Sequence, residues 1–254
     1  MKPIEQVTGF ILAGGESSRM GRDKALLELG GETLIARTVN LVGSVVGGCA
    51  IIGDWKRFGD TAWSVDAGEL RDAISAGITN FDPLQPGTKV KRAGETPAVQ
   101  NDSGARVMNG SALRVIADDF PGAGPLGGIA TALRASGAEW NLIVACDLPY
   151  LTLEWLEFLV ARALWSDADA VLPMNELGAE PLCAMYRKRA DGAIRAALDR
   201  GTRKVTDGLA EIRIEFIEPA EWKGFDSDGL LFKNMNSPAD YEEAKAKFDG
   251  RLKR

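Results

Sequence analysis

Apolar residues in this chain fall into short runs divided by polar, glycine-rich turns. Residues 7–13 crowd Val7, Phe10, Ile11, Leu12 and Ala13 together and then stop at Gly14 and Gly15, which predicts a buried strand running into a loop. Residues 33–46 place Leu34, Ile35, Val39, Val42 and Val46 at helical spacing, and 49–52 reads as the next strand. Further strands are predicted at 113–117, 142–146 and 170–173. Helices are predicted at 124–135 and 152–165, the second with Thr152 placed to cap it and Glu154 and Glu157 near its positive end.

Repeated strand-then-helix order predicts the α/β class: a Rossmann-like three-layer fold with a mostly parallel central sheet flanked by helices. A ligand site on such a sheet lies beyond the C-terminal ends of the strands. Three polar loops emerge there, at 14–24, 118–128 and 147–150. The pattern lapses over 59–110, where 66–77 supports one helix and 82–110 mixes Pro, Gly, Asn, Asp and Lys. The expectation is one domain over 1–254 carrying an inserted, partly mobile segment at 59–110. In the C-terminal third, 181–186 and 212–217 read as strands and 190–198 as a helix. A last helix at 237–248 starts with Ser237 as its cap and Pro238 in its first turn.

Composition narrows the function. With 45% apolar and 26% charged residues in 254, the chain reads neither as disordered nor as membrane-embedded. Its longest apolar stretches, such as 41–52, fall short of the roughly 20 residues that a spanning helix needs. The first ten residues carry no secretory-signal pattern, and Cys49, Cys146 and Cys183 stand isolated in apolar surroundings, so a reduced, cytoplasmic protein is expected. A net charge of −6 provides no field for a polyanion. Lys89, Lys91, Arg92 and Arg106 are interrupted by acidic residues and lack stacking aromatics, so nucleic acid is not an expected partner. There is no histidine, which excludes a His general base, a Ser-His-Asp triad and imidazole-bound zinc.

The first loop concentrates what a triphosphate requires. In Leu12-Ala13-Gly14-Gly15-Glu16-Ser17-Ser18-Arg19-Met20-Gly21-Arg22-Asp23-Lys24, glycines let backbone N–H groups approach an anion, Ser17 and Ser18 add donors, and Arg19 and Lys24 supply positive charge. The spacing is not that of a Walker A loop. Gly122 to Gly127 satisfies G-x-G-x-x-G, but Asp118-Asp119-Phe120-Pro121 separates it from the preceding strand, whereas a dinucleotide fingerprint needs an immediate strand-to-helix turn. Asp147 and Asp118 each follow a strand, where a carboxylate can hold magnesium together with substrate phosphates or can simply form a turn.

These blocks resemble the molybdenum cofactor guanylyltransferases, within the nucleotidyltransferases related to nucleotide-sugar pyrophosphorylases. The resemblance runs through Leu12-Ala13-Gly14-Gly15, Ser18-Arg19-Met20-Gly21 and Asp23-Lys24, then Asp118 with Gly124-Pro125-Leu126-Gly127-Gly128, then Cys146-Asp147-Leu148-Pro149. It continues in Gly201-Thr202-Arg203-Lys204-Val205 and Asn234-Met235-Asn236-Ser237-Pro238. It implies transfer of GMP from GTP to the terminal phosphate of molybdopterin, with release of pyrophosphate. Leu12, Ala13, Gly14, Gly15, Ser17, Gly21 and Lys24 would bind the nucleotide, and Asp118, Gly124 and Gly128 its base or ribose. Asp147 would hold Mg2+, Lys24 and Arg19 would act with it in catalysis, and Arg203, Asn234 and Asn236 would face the acceptor. Leu-Ala-Gly-Gly at 12–15 favours guanine, because cytidylyl relatives usually carry Ala at the position of Gly14. Proteins that supply molybdopterin, or apo-molybdoenzymes, would be transient partners. Cytidylyl transfer to molybdopterin, nucleotidyl transfer to a sugar phosphate, and a non-catalytic GTP-binding partner in molybdoenzyme assembly remain alternatives.

Overall fold

The computed structural model describes residues 4–14, 23–54, 106–107 and 114–252. The sheet begins with β1 (Ile4–Leu12), which pairs in parallel with β4 (Val46–Ile52) on one side and β7 (Trp140–Ala145) on the other. Between β1 and β4 come a small hairpin, β2 (Glu28–Leu29) and β3 (Glu32–Thr33), and the helix α1 (Leu34–Val45). Thr33 starts α1 by accepting from Ala36 N at 3.3 Å. Beyond β4 lies β6 (Arg114–Ile116), and β5 (Arg106–Val107) closes that edge antiparallel to it. The chain then returns through α2 (Pro125–Ala135) to β7, and α3 (Leu153–Trp165) follows, with Thr152 accepting from Trp155 N.

The remaining strands are β8 (Ala170–Asn175), β9 (Gly178–Ala179), β10 (Cys183–Arg187) and β11 (Ile214–Ile217). The nine-stranded sheet has the order β11-β8-β10-β7-β1-β4-β6-β5, with β9 paired to β8. The expected mostly parallel, helix-covered sheet is observed. Its main departure is β10, which enters antiparallel between β7 and β8. Within the segment read as an excursion, Arg106–Val107 form edge strand β5; the helix expected at 66–77 lies outside the described residues.

Period-two alternation divides the core between the two faces. Val7 and Ile11 of β1 join Val42 of α1 and the fully buried Trp155 of α3, whereas Phe10 and Leu12 join Leu126, Ile129 and Leu133 of α2. The second face is completed by α4 (Asp191–Asp199) and the short α5 (Val205–Gly208), and the first by α6 (Pro219–Trp222). The last helix, α7 (Pro238–Leu252), adds a smaller core in which Met235, Ala244 and Phe248 pack on Leu27, Leu29 and Leu34. Because the chain leaves β1 towards β4 and later crosses back to β7, the connections diverge beside β1 and open a crevice at the strand C-termini.

Gly9 shows how closely α1 approaches the sheet. A Cβ there would stand 2.3 Å from Val42 Cγ1 and 3.0 Å from Val46 Cγ2, and both valines are buried and stiff at χ1. Gly9→Ala should therefore cost about 1–3 kcal/mol by overpacking, more than the roughly 0.5–1 kcal/mol that replacing a strand glycine returns. Urea unfolding should show a lower midpoint at unchanged slope, and an unchanged midpoint would mean that α1 does not sit this close.

Candidate active site

The first loop closes with Asp23, whose Oδ1 accepts from Ala25 N at 3.1 Å and starts a 3-10 turn over Lys24–Leu26. That turn presents Lys24, whose Nζ donates to Asn236 Oδ1 at 2.9 Å. Asn236 is held in turn from both directions. Met235 is buried among Leu27, Leu29 and Leu34, and its N–H donates to the carbonyl oxygen of Asp147 at 2.9 Å. Asp240 Oδ2 accepts from Asn236 N at 3.0 Å, and from Ser237 N and Ser237 Oγ at 2.8 Å each. Ser237 Oγ lies 3.2 Å from Asp240 N, so Ser237 caps α7 as its sequence predicts. The loop after β7 is clamped by Arg37, whose Nε donates to Pro149 O at 3.3 Å while its guanidinium lies 4.2 Å over the Phe248 ring. Tyr150 stacks on the same ring.

Three residues singled out in the sequence, Lys24, Asp147 and Asn236, thus converge from distant parts of the chain. Asp147 is half-buried, and desolvation pushes its carboxyl pKa above the ordinary value, against the opposing pull of the Lys24 ammonium and its own backbone amide. A fourth group was missed. Glu180, also half-buried, accepts from Asn175 Nδ2 through Oε1 at 2.5 Å. Burial raises its pKa, and the nearby Asp147 charge raises it further against the pull of the Asn175 bond. In the sequence Glu180 is simply the polar residue before the 181–186 run; only the antiparallel entry of β10 places it at the exit of β7.

The other expected site residues are placed less centrally. Gly15, Ser17, Arg19 and Gly21 lie outside the described residues, and Gly14 is exposed at the end of β1. Leu12 O accepts from Cys146 N at 3.2 Å and Ala13 N donates to Ile52 O at 3.0 Å, so the loop root is tied to both neighbouring strands. Asp118 Oδ1 accepts from Phe120 N at 2.9 Å and from Thr131 Oγ1 at 3.0 Å, which gives this carboxylate a part in fastening its loop to α2. Asp119 pairs on the surface with Arg134 at 3.5 Å. Gly124 precedes α2 at φ 68°, a conformation that favours glycine. Gly128 is buried, and a Cβ there would lie 3.2 Å from Leu12 Cδ2, so close packing on β1 accounts for it. Arg203 is exposed and its Nη1 donates to Leu198 O at 3.3 Å and Thr202 O at 3.0 Å at the end of α4. Asn234 is exposed on the segment that carries Asn236.

In a mostly parallel α/β sheet ligands bind beyond the strand C-termini, and that is where Lys24, Asp147 and Asn236 meet. The model of the MobA-like NTP transferase domain matches residues 9–76 and 90–212. The chain belongs to this nucleotidyltransferase family, and within it to the molybdenum cofactor guanylyltransferases. A "probable molybdenum cofactor guanylyltransferase" of Carboxydothermus hydrogenoformans is 30% identical over 240 residues, covering 94% of this chain and 95% of that protein. The molybdenum cofactor guanylyltransferase of Desulfosudis oleivorans is 27% identical over 244 residues, covering 96% of each. Among solved structures, molybdopterin-guanine dinucleotide biosynthesis protein A from Archaeoglobus fulgidus shares the fold at a TM-score of 0.66 and 21% identity, over 96% of this chain and 99% of that one.

The double duty of Asp240 gives a test of how the site is held. Ser237→Ala and Asp240→Ala should each cost about 1 kcal/mol through the helix cap. Only Asp240→Ala also releases the Asn236 amide, so turnover should fall several-fold in that variant and stay near wild type in Ser237→Ala. Steady-state rates compared at matched distance below each melting temperature check this; equal rates would leave Asp240 as a cap alone.

Proposed function

We propose that this chain transfers GMP from GTP to the terminal phosphate of molybdopterin, releasing pyrophosphate and forming the guanine dinucleotide cofactor. The observation that carries the proposal is the meeting of Lys24, Asp147 and Asn236 at the strand C-termini, in a chain whose relatives bear that activity in their names. The attacking phosphate needs no base from the protein: with a second pKa of about 6 it is largely dianionic at neutral pH. Lys24 would face the transferred phosphate and stabilise charge that grows there, while the glycine-rich loop would bind the rest of the triphosphate. Asn236 would orient the Lys24 ammonium, and with Asn234 and Arg203 would meet the acceptor.

The donor set suits Mg2+. Mg2+ is typically held by one or two carboxylates and completed by substrate phosphates, and Asp147 is a half-buried carboxylate near Lys24 at a strand end. Asp147 would hold it, its partly desolvated charge offset by the cation. When bound, the ion supplies neutralisation of the phosphates. The reaction is read as cytoplasmic, with molybdopterin-handling proteins as transient partners.

Pyrophosphate release with GTP, CTP and ATP, each with and without molybdopterin and magnesium, tests the reading; release should require GTP, molybdopterin and magnesium together. CTP-driven release would make the protein a cytidylyltransferase, and tight GTP binding without release a non-catalytic partner. Lys24→Ala should lower turnover on the order of 10²-fold with a smaller loss of GTP affinity. Asp147→Asn should keep the fold and lose magnesium-dependent transfer. Nearly normal turnover with an unchanged magnesium midpoint would remove Asp147 as the ligand.

A further inference from the structure

Glu180 stands at the site without a role in the chemistry above. Its position follows from strand register. Cys183 pairs with Val144 across the antiparallel β10–β7 ladder, and Ala145 N donates to Leu182 O at 2.8 Å, which carries the ladder one step further. Before Cys183 the chain turns, Cys183 N donating to Glu180 O at 3.3 Å, and the turn brings the Glu180 carboxylate within electrostatic reach of Asp147. The turn that carries it is fixed at several points: Glu180 N donates to Pro173 O at 2.8 Å, the buried Tyr186 hydroxyl donates to Pro181 O at 2.8 Å, and Asn175 holds the carboxylate itself.

Sheet order then assigns a side. The strands run β8-β10-β7-β1-β4-β6, so Gly14 at the end of β1 lies on one side of Asp147 and Glu180 on the other. We propose that Glu180 is a specificity residue for the acceptor, accepting hydrogen bonds from amino and ring N–H groups of its heterocycle, away from the attacking phosphate. The inference rests on the acceptor being molybdopterin, or a compound of that class. A carboxylate only accepts hydrogen bonds and repels phosphate, so it selects a donor-rich, uncharged part of a ligand. Asn175 occupies Oε1, and among the described residues no donor takes Oε2. One neutral donor beside another negative charge offsets little of the cost of partial burial. A substrate N–H offsets more, and a carboxylate already anchored on one oxygen loses little freedom in making that bond.

Glu180→Gln and Asn175→Ala, in the full-length protein, provide the test. The first removes the charge at nearly constant shape; the second leaves the charge and frees its anchor. With magnesium and GTP saturating, Glu180→Gln should raise the KM for molybdopterin roughly ten- to hundredfold, the range of a hydrogen bond to a charged group. Asn175→Ala should raise it less, and calorimetric titration should find GTP affinity within twofold of wild type in both. Unchanged KM overturns the proposal. An equal loss of GTP affinity overturns it by making Glu180 a reader of guanine, and a shifted magnesium midpoint overturns it by making Glu180 a metal ligand. Wild-type protein that transfers nothing to molybdopterin overturns the underlying reading instead, and this one with it.

Discussion

The hydrogen bond from Met235 N to the carbonyl oxygen of Asp147 is the tie on which the site depends. It joins the exit of a central strand to the segment that leads from the first-face core, at Leu231, into the last helix. Alone, one such bond contributes on the order of 1 kcal/mol. It persists here because Met235 is buried in the small core that α7 makes with Leu27, Leu29 and Leu34, so apolar packing holds the segment in register. The same core fixes the end of the first loop, and therefore Lys24. A single cluster of apolar side chains sets the distance between the lysine, the aspartate and the asparagine.

Electrostatics explains why that arrangement suits phosphate chemistry. Without histidine the chain has no imidazole to titrate near neutrality, so its site charges are those of carboxylates and of lysine and arginine. Burial disfavours the Asp147 charge and Lys24 favours it, leaving a carboxylate whose ionised form gains further from any cation brought beside it. Lys24 is held by the neutral Asn236, and its charge also acts on Asp147.

Much of this was legible in the sequence, and the remainder has physical reasons for staying hidden. The apolar run ending at Gly14, the helical spacing of Leu34 to Val42, and the caps at Thr152 and Ser237 are local signals, and each marks an element that the structure contains. Asp147 could be placed because it directly follows a strand, and Lys24 because it ends a glycine-rich loop. The antiparallel β10 could not, since a short, mostly apolar strand carries no sign of its direction. Glu180 was missed for the same reason: its importance comes from Asp147, which the entry of β10 beside β7 brings near it. The short hairpin of β2 and β3 offers two residues a strand, too few to show a period. Asn236 entered only through a family resemblance, because its role depends on Met235 and Asp240, and hydrogen bonding of that kind leaves no periodic pattern.

The central claim is that residues from the two ends of the chain act as one catalytic unit. A double-mutant cycle between Lys24 and Asn236, read in the rate of pyrophosphate release at saturating acceptor, where any contact of Asn236 with the acceptor no longer limits the rate, tests it most directly. Lys24→Met and Asn236→Ala should each slow the reaction, and the double variant should be little slower than Lys24→Met alone, because the asparagine acts through the lysine. Multiplying penalties in the double variant would mean that the two residues work independently and that the bond between them does not organise the site.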